Sequence, residues 1–221
     1  MGIAENIKKI VSVLPKHVHL VAVSKTKPTE ALLEAYNVGQ RIFGENYVQE
    51  LCSKQTLLPN DIKWHLIGHL QTNKIKYIAP FIACIQSVDS EKLIVEIDKH
   101  AGKNNRTIDI LLEISIALDG SKFGFEPDEP FDFLKDGKYK MFKNINFCGV
   151  MGMGSFSDDA TLTRKEYCLL KSVYDRLKDS IFCECNSFKE ISMGMSNDYE
   201  IAIEEGSTLI RVGSDIFGER K

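Results

Sequence analysis

Val21-Ala22-Val23-Ser24-Lys25-Thr26-Lys27-Pro28 is a short apolar run that ends on a lysine and opens, through Pro28 and Thr29, into a helical pattern. A lysine costs too much to bury unless its amine is paired or loses its charge. A buried strand that delivers Lys25 to the start of a βα loop therefore predicts a strand end facing a site. The same strand-then-helix grammar recurs along the chain. Strand candidates are His19–Ser24, Arg41–Gly44, Lys63–Ile67, Cys84–Val88, Ile108–Ile114, Phe147–Met151, Glu190–Met193 and Thr208–Val212. Several are rich in Val, Ile and Phe without strict polar alternation, the pattern of strands covered on both faces.

Helical patterns fill the intervals. Thr29 starts one with Leu32, Leu33 and Tyr36 on a face, and Gly39 stops it. Ser90 caps another that turns Leu93, Ile94 and Ile97 inward. Thr163 to Glu166 reads as a capping box ahead of the stripe Leu169, Leu170, Val173, Tyr174 and Leu177. Asn197 to Glu200 opens a short helix that ends at Gly206, and Asn6 to Leu14 forms a helix ahead of the first strand. Pro127, Pro130 and Gly137 interrupt any long helix in Glu126–Lys143. Strands alternating with helices at roughly 25 to 30 residues per repeat predict a single α/β domain over residues 1–221, a (β/α)₈ barrel with an extra N-terminal helix. A doubly wound open sheet is the alternative. It normally carries a GxGxxG turn after the first strand, and Ser24-Lys25-Thr26-Lys27 is not one.

Bulk properties narrow the function classes. The chain has 221 residues, 43% hydrophobic and 27% charged, with a net charge of -3. That balance gives no electrostatic footprint for nucleic acid or an anionic membrane. No apolar run approaches the ~18 residues of a membrane span, and the N-terminus has no signal-like apolar region, so the cytosol is the default compartment. The 6 cysteines form no CxxC pair and read as reduced, mostly buried small residues. Cys183 and Cys185 have no partners at zinc-ligand spacing, and no metal is expected.

The chemistry gathers at the predicted C-terminal strand ends: Lys25, Glu45-Asn46, Gly68-His69, Asp89, Ser115, Met153-Gly154, Ser196 and Gly213-Ser214. A polar ring above apolar strands is the asymmetry of a barrel with its site at the top. The loops after strands seven and eight often bind phosphate through backbone N–H groups, a hydroxyl and a glycine. Ser196, Gly213 and Ser214 fit that role, although Asp198, Glu200 and Asp215 would repel a phosphate they faced. Ser196 and Asn197 also read as a plain helix cap. Arg211, two residues before Gly213, shares its face of the strand and points into the barrel. There it either meets a carboxylate or donates to a pyridine nitrogen and keeps that nitrogen unprotonated. Lys25 then forms a Schiff base with an aldehyde cofactor, once its amine, near ~10.4 when free, gives up a proton. Lys27 is close enough to help and equally reads as a solvated loop lysine. Asn46 bonds a phenolic oxygen or satisfies loop backbone. His65 and His69 lie near the end of strand three, and His69 is assigned to the wall of the site.

Together these segments resemble the pyridoxal phosphate homeostasis family, single-domain relatives of alanine racemase. The matching stretches are Ala22 to Pro28, Phe43 to Glu50, Trp64 to Gln71, Ser121 to Gly124, Ser192 to Ser196 and Arg211 to Gly218, in order along nearly the whole chain. The resemblance implies a fold-type III barrel with pyridoxal 5′-phosphate (PLP) on Lys25, its phosphate at Ser196 and Gly213-Ser214, Arg211 at the ring nitrogen and Asn46 in the pocket. Many relatives carry threonine where Ser214 stands, and the hydroxyl survives the exchange. The family further implies a protein that buffers PLP and hands it on, with apo PLP-dependent enzymes as recipients, rather than one that turns over a substrate. Alanine racemase adds a second domain bearing a tyrosine base. This chain ends a few residues past strand eight, which leaves no room for that domain and implies a monomer without a second base. An amino-acid racemase of low activity and a sugar-phosphate lyase or isomerase using Lys25 are the competing readings.

Overall fold

The computed structural model describes residues 2–118 and 123–219. Helix α1 (Ile3–Val13) precedes strand β1 (His19–Val23). The chain then continues through α2 (Thr29–Asn37), β2 (Ile42–Glu45), α3 (Val48–Gln55), β3 (Lys63–Leu66), α4 (Ile75–Ile78), β4 (Cys84–Val88) and α5 (Glu91–Lys103). It ends with β5 (Ile108–Glu113), α6 (Glu129–Leu134), β6 (Ile145–Met151), α7 (Ala160–Ser180), β7 (Glu190–Ser192), α8 (Tyr199–Glu204), β8 (Leu209–Val212) and α9 (Ser214–Phe217). The strands close into a barrel in sequential order, every neighbour parallel. The closing pair sets Val21 of β1 opposite Arg211 of β8. This is the (β/α)₈ barrel expected from the alternation. The extra helix α1 packs against α2 and α9.

Two apolar cores follow from strand parity. Alternate strand residues such as Ala22, Phe43, Ile110 and Ile210 face outward and pack with Leu32, Leu51, Ile97 and Leu170 of the helices. The opposite set, Val21, Cys84, Leu111, Met151 and Leu209, forms a separate cluster inside the barrel. The barrel is plugged by its own side chains, which leaves the space above that plug, at the strand ends, for a ligand.

Several local expectations need correction. α7 begins at Ala160, with Asp159 accepting from the Thr161 and Leu162 amides. Thr163 and Glu166 therefore lie within the helix rather than forming a capping box. Pro130 sits in the first turn of α6, where its missing N–H costs nothing, and the break comes at Asp136 and Gly137, both with positive φ. The cysteines carry no disulfide, but only Cys84 is buried, while Cys168 and Cys183 are exposed. No helix among the described residues is long and apolar enough to cross a membrane.

Candidate functional site

A cavity of about 510 Å³ opens at the C-terminal end of the barrel. Its lining includes Lys25, Asn46, Ser196, Arg211, Gly213 and Ser214, so the structure brings the six residues expected to hold the cofactor together. They come from the ends of β1, β2, β7 and β8, which are contiguous around the barrel through the β1–β8 seam.

Lys25 stands between two anchored neighbours. On one side Ser24 Oγ donates to Glu45 Oε1 at 2.6 Å, and on the other the Thr26 amide donates to Glu50 Oε1 at 2.6 Å. Lys54 Nζ joins both halves, donating to Glu45 Oε1 (2.8 Å), Glu50 Oε1 (2.7 Å) and the Ser24 carbonyl (2.7 Å). Thr26 has φ 64, an unfavourable region for a β-branched residue. Such a conformation costs on the order of 1–3 kcal/mol and persists only where its surroundings enforce it. The charge-assisted bonds of this cluster provide that enforcement. Burial raises the Glu45 carboxyl above its ordinary range, opposed by Lys54 and Ser24. None of Glu45, Glu50 and Lys54 lines the cavity; they fix the backbone on either side of Lys25.

Arg211 is buried beneath the cavity. Its Nη1 donates to the Ser192 carbonyl (2.8 Å) and hydroxyl (2.6 Å), and its Nη2 to the Gly152 carbonyl (2.9 Å). No carboxylate among the described residues forms an ion pair with it, and its partners there are the Ser192 and Gly152 oxygens. Burial pulls the guanidinium below its ordinary value, opposed by Tyr167, Glu113 and Asp198. An arginine nonetheless keeps its charge. The three bonds engage only part of its five-donor fork, and the residue itself lines the cavity.

The loops after β7 and β8 meet where Ser196 Oγ accepts from the Gly213 amide at 3.4 Å. Gly194, at φ 94, makes the first loop possible: a Cβ there would lie 2.6 Å from Ala202 Cβ. A Cβ at Gly213 would stand 3.2 Å from the Val23 carbonyl. Of the three suspect carboxylates, Glu200 and Asp215 lie outside the lining. Asp198 does line it, with Oδ1 accepting from the Met195 amide at 2.6 Å and the Tyr167 hydroxyl alongside. Asn46 Oδ1 is buried and has no hydrogen-bond partner among the described residues. Gly68 packs so closely behind Asn46 that a Cβ would fall 2.6 Å from its carbonyl oxygen.

Other placements differ from expectation. Lys27 is not a solvated loop lysine: Nζ donates to the carbonyls of Phe217, Gly218 and Glu219 at 2.9–3.1 Å, tying the C-terminal segment to the β1 loop. His69 is exposed and pairs with Asp89 at 3.1 Å, while Ile67 supplies that wall of the cavity. Ser121 and Lys122 lie outside the described residues. Sequence reasoning missed the β6–α7 loop, whose Ser155, Phe156, Ser157 and Asp158 line the cavity. Its density of hydroxyls just past Met153-Gly154 was the available signal. Glu166 holds that loop from α7, accepting from the Ser155 amide and hydroxyl and from the Leu118 amide. Among the described residues, no group of three or more His, Cys, Asp or Glu is placed to hold a metal ion.

Comparison with known proteins agrees with this geometry. Residues 2–221 match the family model described as alanine racemase, N-terminal domain. A pyridoxal phosphate homeostasis protein of Aquifex aeolicus (strain VF5) is 38% identical over 207 residues, covering 91% of this chain and 87% of that protein. The Homo sapiens protein of the same name is 39% identical over 213 residues, covering 91% of this chain and 76% of the human one. Among solved structures, PipY of Synechococcus elongatus PCC7942 with PLP bound superposes with a TM-score of 0.88 at 35% identity, covering 98% of this chain and 100% of that one.

Proposed function

This chain belongs to the alanine racemase N-terminal domain family and, within it, to the pyridoxal phosphate homeostasis proteins, and from that premise we propose that it binds PLP covalently through Lys25 and serves intracellular homeostasis and carriage of that cofactor. The observation that carries this reading is the convergence of Lys25, Asn46, Ser196, Arg211, Gly213 and Ser214 on one cavity. The residues fit the group. The unpartnered Asn46 Oδ1 suits a hydroxyl donor such as the phenol of PLP. The Ser196 hydroxyl beside the Gly213 amide, with Ser214 next to it, suits phosphate oxygens.

When bound, PLP supplies an aldehyde and an electron-withdrawing ring. Lys25 would hold PLP through its amine, which would condense with that aldehyde with loss of one water. The clamp through Glu45, Glu50 and Lys54 fixes the strand end from which this amine reaches the cavity. Arg211 would donate to the ring nitrogen and, being unable to give up its proton, would leave that nitrogen unprotonated. That arrangement would make a weaker electron sink than a carboxylic acid at the same place, which suits storage better than turnover.

The chain acts as a monomeric cofactor-holding protein of the cytosol, one alanine-racemase-like domain over 1–221, with apo PLP-dependent enzymes as recipients. The names of its relatives support homeostasis over catalysis. The racemase-type family model favours one second reading, a racemase-like enzyme of low activity. Purified protein incubated with PLP should develop a visible band that borohydride abolishes and that is absent in Lys25→Ala. An unchanged band in Lys25→Ala defeats the assignment. Deuterium from solvent entering Cα of an added amino acid at catalytic rates favours the enzyme.

A further inference from the structure

Four polar side chains cross the barrel interior from β8 to β3. Arg211 Nη1 lies 2.6 Å from Ser192 Oγ, Ser192 Oγ 2.6 Å from Gln86 Oε1, and Gln86 Nε2 2.8 Å from His65 Nδ1. All four are buried, and none but Arg211 lines the cavity. Strands β4 and β7 are not neighbours, so the Gln86–Ser192 contact runs through the barrel's centre.

The direction of the chain is fixed by chemistry. Arginine only donates, so Ser192 Oγ accepts from it and has one hydrogen left to give. The 2.6 Å separation from Gln86 suits O–H···O, which favours ~2.7 Å, and is short for N–H···O, which favours ~2.9 Å. Gln86 therefore turns its carbonyl towards Ser192 and its amide nitrogen towards His65. A donor facing His65 Nδ1 makes that nitrogen the acceptor and puts the ring proton on Nε2. Burial, assisted by Lys63 on the same strand, lowers the histidine to about 4, so the ring is neutral.

We infer that Ser192, Gln86 and His65 form a one-way hydrogen-bond relay that positions Arg211, with His65 held as the neutral Nε2–H tautomer at its far end. Gln86 and Ser192 are positioning residues: they touch no ligand, and they set where the guanidinium presents its remaining donors. The inference rests on the assignment of Arg211 to the PLP ring nitrogen. In that setting the relay would fix the position of the cation that meets the ring nitrogen.

Nitrogen-15 NMR of the unaltered protein at neutral pH reads the tautomer of His65 directly. Protonated Nε2 with bare Nδ1 is expected, and protonated Nδ1 overturns the relay whatever any variant does. Gln86→Met keeps the length and removes both hydrogen bonds. With folding verified by circular dichroism, it should weaken PLP binding up to about tenfold, the effect of losing an ordinary hydrogen bond. It should also move the visible band of bound PLP in the same sense as Arg211→Gln. If Arg211→Gln moves the band while Gln86→Met leaves band and affinity unchanged, the relay is refuted and the site assignment stands. If Arg211→Gln itself leaves the band unmoved, the placement of Arg211 fails, and the inference with it.

Discussion

Lys54 Nζ lies 2.8 Å from Glu45 Oε1, with side chains 7% and 0% exposed, and this buried ion pair holds the loop that carries Lys25. Removing one partner of such a pair costs far more than removing both, because the survivor is left charged and dry. Lys54→Met should therefore lose about 3 kcal/mol of stability in urea unfolding, within the ~3–5 kcal/mol range for broken buried pairs. The double variant Lys54→Met/Glu45→Gln should recover most of it. A single variant no less stable than the double would contradict the clamp.

Gly68 leaves room for Asn46. A Cβ at 68 would lie 2.9 Å from Asn46 Cα as well as close to its carbonyl. Gly68→Ala should lower stability by ~1–3 kcal/mol, the usual cost of overpacking. It should also weaken PLP binding as much as Asn46→Ala does, read by absorbance titration. Binding that survives Gly68→Ala but not Asn46→Ala would show that the loop relaxes without moving the amide.

Glu113, buried at the end of β5, has its carboxyl pushed up from 4.5 to about 7 by burial and by Asp89, against the pull of Arg211. The folded protein keeps this proton while the unfolded chain has already released its own. Stability from this group is therefore highest below the ordinary carboxylate value and falls as pH rises to about 7. At ~1.4 kcal/mol per unit, the loss is about 3 kcal/mol. Glu113→Gln should flatten that limb in denaturation series run across the window, and an unchanged slope would place the titration elsewhere.

Lys27 should behave as a fastener for the C-terminal segment. Lys27→Ala removes donors from the Phe217, Gly218 and Glu219 carbonyls. Amide exchange at Ile216 and Phe217 should accelerate relative to the β8 core. Equal protection in both proteins would mean that α9 is held by packing alone.

Much of this was legible in the chain. The barrel could be read because doubly covered strands repeat without alternation. Lys25 and Arg211 stood out because a cation on a buried strand, or delivered by one to a loop, demands a reason. The Lys54 clamp escaped notice because it joins β2 to α3 across a turn, where neither the strand period nor the helix period applies. Glu50 and Lys54, at helical i,i+4 spacing, were its one readable piece. The start of α7 was misread because Asp159 and Thr163 are both capping types, and only the structure shows Asp159 taking the free amides. For the interior relay, parity could have turned Gln86 inward with Cys84, but nothing in sequence pairs it with a residue 106 positions away.

We propose that one amine, that of Lys25, holds the cofactor. Borohydride reduction of the PLP-loaded protein, followed by proteolysis and peptide mass spectrometry, locates the attachment directly. A phosphopyridoxyl group on Lys25 at close to one per chain is expected. The modification falling instead on Lys27 or another lysine, with Lys25 unaltered, would contradict it.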